Sequence, residues 1–229
     1  MTGRTFTRVN DVDETMALTD RRAERRAARR AENRGEILDA AEKVFGEDGI
    51  RDGSLRRIAS ESGFSTAAIY LFFENKQDLV TETLTRRGDE LIVALSSDAA
   101  LDLAPVDKLH QIIDTTVAFF AERPHFRELL RHIRGGGTIT GPVLAEFDTD
   151  ASPGFDDAMV LLASIVADGQ EAGEIRAGDP RALAHLYSVL LNEFILLGMA
   201  KGSRTGSLTS SQFHELVDGT LRLPPKGET

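Results

Sequence analysis

The 229-residue chain has no cysteine. Disulfides, zinc sites built on thiolates and thiol nucleophiles are excluded together. Long apolar runs are missing as well: no stretch approaches the roughly 20 residues of a membrane-spanning helix. The N-terminal basic residues are not followed by an apolar segment of the secretory kind. A soluble, cytoplasmic protein is therefore expected. Neither the alternating pattern of β-strands nor an internal repeat is found. The five histidines, His110, His125, His132, His185 and His214, come without an HExxH pair or a nucleophile motif. The run Gly135-Gly136-Gly137 lacks the Gly-Lys-Ser/Thr of a phosphate-binding loop and reads as a connecting loop. No enzyme, no cofactor and no metal site are expected.

An overall positive charge is also lacking, since the formal net charge is −10. Its distribution is uneven. Residues 81–229 hold 13 Lys and Arg against 22 Asp and Glu, whereas residues 21–80 hold 12 against 11. A nucleic-acid partner requires a local basic face, not a basic whole, and an acidic C-terminal part would be turned away from phosphate.

What is present is helical. The hydrophobic content of 41% is enough for a packed core. Residues 1–20 are polar and aperiodic and are expected to be disordered. A run of arginines follows (Arg21, Arg22, Arg25, Arg26, Arg29, Arg30, Arg34), read either as a solvated helical extension or as a basic arm on DNA. Ile37, Leu38, Ala41, Val44 and Phe45 mark an amphipathic helix over 35–48, ended by Gly49. Ser54 caps a short second helix that Gly63 stops; Ser65 caps a third through Phe73; Asn75 caps a fourth to about Leu95. Further helices are predicted over 105–123, 125–134, 142–148, 155–172, 180–200 and 211–223, with Pro105 and Pro180 at first positions.

The stretch from Ser54 to Leu79 is the informative one. Ala59 is small where two helices cross, Gly63 makes the turn, and Ile58, Phe64 and Ile69 supply a miniature core. The start of the third helix then faces outward, as a recognition helix must to meet base edges in the major groove. Together with the aromatic segment Ile69-Tyr70-Leu71-Phe72-Phe73 and with Lys76 and Leu79, this closely resembles the DNA-binding domain of TetR-family repressors, over about residues 33–80. Gly173-Glu174-Ile175-Arg176 before Asp179-Pro180 is similar to a turn between that family's later helices.

The resemblance implies an all-α homodimer. Residues 1–30 would be a disordered, partly arginine-rich arm, 31–78 a three-helix helix-turn-helix domain, 79–223 an effector-binding and dimerisation bundle, and 224–229 a tail. The implied partners are an operator of double-stranded DNA and a small-molecule effector, apolar or amphipathic, with no membrane. The implied DNA contacts are Ser54, Arg56, Ser65, Thr66, Ala67, Ala68, Tyr70 and Lys76. Of these, Ser54, Tyr70 and Lys76 would meet phosphate, and Thr66 and the alanines base edges and thymine methyls. Thr66 stands where many members of the family carry Lys or Gln, and Leu71 and Phe72 cannot donate to phosphate, so the arginine run would compensate.

The remaining readings concern the C-terminal part. Ile113, Phe120, Phe126, Met159 and Leu162, with His110, His132 and Asn192 as polar contacts, are candidate effector-binding residues; core packing accounts for the apolar ones equally well. Leu190, Leu191, Phe194, Ile195, Leu197 and Met199 wrap nearly all of one helix. With Phe213, Leu216, Val217 and Leu221 of the last helix they suggest a four-helix contact across a two-fold axis. The alternative function is a helical ligand-binding or scaffold module without an operator.

Overall fold

The computed structural model describes residues 7–133, 153–198 and 208–223. Among them are nine α-helices and no strand: α1 (Thr7–Asp52), α2 (Leu55–Ser62), α3 (Thr66–Ile69), α4 (Lys76–Ala99), α5 (Pro105–Glu122), α6 (Pro124–Ile133), α7 (Pro153–Glu171), α8 (Pro180–Gly198) and α9 (Ser210–Leu221). The all-α expectation holds. Gly135, Gly136, Gly137, the helix expected over 142–148, Met199 and the tail 224–229 lie outside the described residues, as does the side chain of Leu197.

Two expectations are corrected. The arm is not disordered from Thr7 onward: α1 is helical from that residue and carries the arginine run into the helix-turn-helix. Alanine and arginine are strong helix formers, and helix already nucleated over the buried segment propagates outward at low cost. The third helix is shorter than Ser65–Phe73. The α-helix closes at Ile69, after which Leu71 and Phe72 donate to the carbonyls of Ala68 and Ile69 in a tighter turn, and Phe73 shares the Ile69 carbonyl.

The first core forms where α1 meets α2, α3 and α4. Ile37, Ala41, Val44 and Phe45 on α1, Ile58 on α2, Ile69 on α3, and Leu79 and Val80 on α4 are all but inaccessible to solvent. Burial of each large side chain of this kind contributes about 1.5–3 kcal/mol. Gly49, where the sequence places the end of the helix, leaves helical geometry with φ 78° and ψ 164°.

α4 joins this core to the rest, packing on α1, α5 and α7. Arg87 of α4 reaches the buried Glu42 of α1 at 2.6 Å, and Arg86 reaches Asp39 at the same distance. α5 buries Val106, Leu109, Ile112, Ile113, Thr116, Phe119 and Phe120, a stripe at helical spacing. The Tyr187 hydroxyl on α8 donates to the Leu109 carbonyl at 2.6 Å. α6 lies against α1, a contact that depends on Gly46. An isolated antiparallel bridge ties Ile175 to Arg222: Arg176 donates to the Leu221 carbonyl at 2.8 Å and Leu223 to the Glu174 carbonyl at 2.9 Å.

Candidate nucleic-acid interface

Three polar caps and one glycine set the geometry of the α2–α3 unit. The Ser54 hydroxyl oxygen accepts from the Arg57 amide at 3.2 Å, and that of Ser65 from the Ala68 amide at 3.1 Å. Asn75 accepts from the Asp78 amide at 2.9 Å, while the Asp78 carboxylate accepts from the Glu74 amide at 2.9 Å. Each cap satisfies an amide that a helix start leaves unpaired. Gly63 sits at φ 74°, the left-handed conformation that lets α3 turn back across α2. Both serine hydroxyls keep a proton to donate outward.

The sequence-derived contact residues do not all face solvent equally. Ser54, Arg56, Ser65 and Ala67 are exposed; Thr66 and Ala68 are half-buried. Tyr70 is 54% exposed and Leu71 70%. Lys76 is differently placed. Its ammonium donates to the Arg51 carbonyl at 3.1 Å and lies 5.9 Å from the Phe45 ring. Burial pushes its pKa below the ordinary lysine value. Lys76 thus ties the start of α4 to the end of α1.

Two further cations of the unit are spent internally. Lys43 pairs with Glu61, and Arg57 with Glu47 and Asp48. The hydrogen bond from Lys43 holds the Glu61 carboxyl below its usual range and raises the Lys43 ammonium above its own. Residues 35–80 hold five Lys and Arg against nine Asp and Glu, so the reading unit by itself is acidic. Residues 21–34 hold seven Arg against two Glu.

Two of those arginines grip the recognition turn. Arg30 donates to the Leu71 carbonyl at 3.0 Å and lies over the Phe72 ring at 5.0 Å. Arg34 donates to the Phe72 carbonyl at 2.8 Å, lies 4.5 Å from the Phe73 ring centroid and pairs with Glu82 of α4 at 2.7 Å. Sequence reasoning did not single out these two. The available signal was two arginines four apart on one helix line, matched with two adjacent aromatics at the end of the recognition segment.

The candidate effector residues are dispersed. Ile113, Phe120, Phe126 and Leu162 are core residues, and the Phe120 and Phe126 rings are parallel at 5.7 Å; Met159 packs against the core half-buried. His132 points the other way, its Nε2 3.2 Å from the Gly46 carbonyl of α1. His110 stacks on His214 at 4.5 Å and pairs with Asp218 at 2.8 Å, while His214 pairs with Asp114 at 3.1 Å. These crossed pairs fasten α9 to α5. Asn192 donates to the Ser188 hydroxyl at 3.4 Å. An open groove of about 730 Å³ lies elsewhere, between α4 and α5; Val93, Ala118 and Phe119 line it, with Arg86 and Arg123 at its sides.

The family model for bacterial regulatory proteins of the tetR family matches residues 37–83, the unit just described. The fatty acid metabolism regulator protein of Bacillus subtilis (strain 168) is 24% identical over 191 residues, covering 80% of this chain and 93% of that one. Among solved structures, FadR from Bacillus subtilis in complex with stearoyl-CoA superposes with a TM-score of 0.67 at 20% identity, covering 80% of this chain and 96% of that one. AibR in complex with isovaleryl coenzyme A and operator DNA gives 0.61 at 19% identity, covering 82% and 97%. No helix among the described residues is long and apolar enough to cross a membrane. The α2–turn–α3 geometry, the family match on those residues and the shared fold agree: residues 37–83 form the helix-turn-helix domain of the tetR family of bacterial regulatory proteins, set on a fold shared with the solved regulators.

Proposed function

We propose that the chain is a repressor that holds a near-palindromic operator as a homodimer and releases it when an amphipathic small molecule binds the C-terminal bundle. The observation that carries this reading is the outward face of the capped α2–α3 unit, where Arg56, Ala67 and Tyr70 are exposed together. Arg56 and Thr66 are assigned to base edges or adjoining phosphate, and Ser54, Ser65 and Tyr70 to phosphate. Ala67 and Ala68 are assigned to thymine methyls, and Lys76 to phosphate through its remaining N–H groups.

An amphipathic effector is supported by the relatives solved with acyl esters of coenzyme A. Its apolar part is assigned to the region around Ile113, Phe120, Phe126, Met159 and Leu162. Those side chains fill the space themselves, so entry requires their displacement. Phe119 floors the α4–α5 groove and meets Phe120 and Phe126 edge-on at 5.4 and 6.3 Å, which makes it the partition between solvent and that core. Release then follows if the ligand prefers the conformation that does not fit DNA. The test is selection of binding sites from random duplexes, followed by titration of the selected duplex with acyl-coenzyme A esters of several chain lengths. A family of palindromes, released by one of the esters, is expected. Recovery of no common site would overturn the operator reading, and a selected site indifferent to every ester would remove this effector class.

A further inference from the structure

Charge on the reading unit raises a question that the helix-turn-helix alone does not answer. DNA binding draws most of its sequence-independent attraction from cations placed on phosphates. Yet residues 35–80 are net acidic, with Lys43 and Arg57 paired to carboxylates and Lys76 bonded to a carbonyl. Arg51 and Arg56 remain exposed on the unit itself, and the other exposed cations are concentrated on the N-terminal extension of α1. Arg22, Arg25, Arg26 and Arg29 are exposed and form no ion pair or hydrogen bond with the described residues.

Their placement is fixed by two sets of contacts. Residues at spacings of four form a row on a helix, about 6 Å apart, that winds round it by about 40° at each step. Arg22 and Arg26 therefore continue the winding row of Arg30 and Arg34, whose guanidinium groups are docked on the carbonyls of Leu71 and Phe72 at the end of the recognition segment. Arg25 and Arg29 occupy the neighbouring line and, with Phe64, border a groove beside the turn that precedes α3. The row thus starts at the recognition unit and runs outward from it, on a helix and not on a loose tail.

We propose that Arg22, Arg25, Arg26 and Arg29 bind the phosphate backbone of DNA next to the bases read by α3, and that this helical row supplies the larger part of the chain's electrostatic hold on DNA. The inference rests on the operator reading above and names a second contact surface for it. Arg30 and Arg34 are positioning residues in this scheme: they set the angle between the row and the recognition turn.

The test uses the full chain, the selected duplex and a random-sequence duplex, with affinity measured across a range of salt concentrations. Replacing all four arginines by alanine keeps the helix, because alanine is the better helix former, and circular dichroism checks this. The expected result is a salt slope (log affinity against log salt) shallower by about three to four. Affinity at moderate salt should fall about tenfold or more for both duplexes, with their ratio unchanged. Replacing the four by lysine should restore the slope. A slope and affinity unchanged in the alanine variant would overturn the proposal, as would a loss confined to the selected duplex. If the wild-type chain does not distinguish the two duplexes, the operator reading fails by itself, while a slope that still depends on the four arginines supports the row.

Discussion

Gly46 of α1 lies directly against the backbone of His125 in α6: a Cβ at position 46 would stand 2.9 Å from the His125 carbonyl carbon and closer still to its oxygen. Backbone cannot rotate away as a side chain can. Gly46→Ala should therefore cost about 1–3 kcal/mol, more than alanine's helix preference of about 1 kcal/mol returns. Denaturant unfolding measures this. A stabilised Gly46→Ala variant would show that α6 is free to move off α1.

Arg34 has three attachments: the Phe72 carbonyl, the Phe73 ring and Glu82. Its side chain is 33% exposed, so screening reduces what the ion pair contributes. Arg34→Ala is expected to lower stability by about 1–2 kcal/mol, chiefly through the charge-assisted bond to the carbonyl. Arg30→Ala, at an exposed position, should lower it less. Both should weaken sequence-specific binding by loosening the recognition turn, and the thermal midpoint and affinity of each variant check the pair.

Tyr70 and Arg56 separate contact from folding. Tyr70 is more than half exposed, and its hydroxyl has no hydrogen bond with the described residues. Tyr70→Phe should leave the unfolding midpoint unchanged while costing about 0.5–1.5 kcal/mol of operator affinity. Arg56→Ala should cost about 1–3 kcal/mol and relax discrimination at one base position. Affinities for the selected duplex and its single-base variants decide both.

The dimer contact is best tested at Leu216 and Leu186. Phe194 stacks on Phe213 of its own chain at 4.4 Å, and Leu191 and Ile195 are buried within the protomer, so charges there would disturb the fold itself. Leu186 and Leu216, on α8 and α9, are 41% and 40% exposed. Leu216→Glu should leave a folded monomer that has lost tight operator binding, as light scattering would report. A dimer that survives both Leu186→Glu and Leu216→Glu would place the contact on other helices.

Tyr187 gives the alkaline side of the stability curve. Burial pushes its phenol well above the usual value, with the nearby Asp114 charge adding to the effect. A raised folded pKa means that the unfolded chain loses this proton first, from about pH 10 upward. The stabilisation is complete below that pH and is lost as pH rises, with a slope of up to about 1.4 kcal/mol per pH unit for one proton. Tyr187→Phe should remove that slope, at a constant cost of about 0.5–1.5 kcal/mol for the lost bond to Leu109. Denaturant midpoints between pH 9 and 11 measure it.

What was legible in the sequence is what is local. Ser54, Ser65 and Asn75 cap the helices expected of them, and Gly63 takes the conformation that only glycine adopts easily. Pro105 and Pro180 sit at helix starts. Contacts between distant residues were not legible. Nothing near Lys76 in sequence indicates that its ammonium bonds to Arg51, 25 residues away. Arg30 and Arg34 reach across 41 and 38 residues to the recognition turn. The state of the arginine run was left open for another reason: without an apolar face, its periodicity carries no hydrophobic signal, and its order comes from the helix it continues.

Residues 21–32 of α1 are exposed on every side, with no core beneath them. Such a segment opens locally at a small free-energy cost, far below that of global unfolding. It is also where trypsin finds its substrate residue repeatedly, from Arg21 to Arg29. Brief digestion should therefore shorten the chain stepwise from that side and stall where Arg30 and Arg34 are anchored to the recognition turn. The stable fragment would retain the entire helix-turn-helix, so protease susceptibility marks the border between the packed protein and its charged extension.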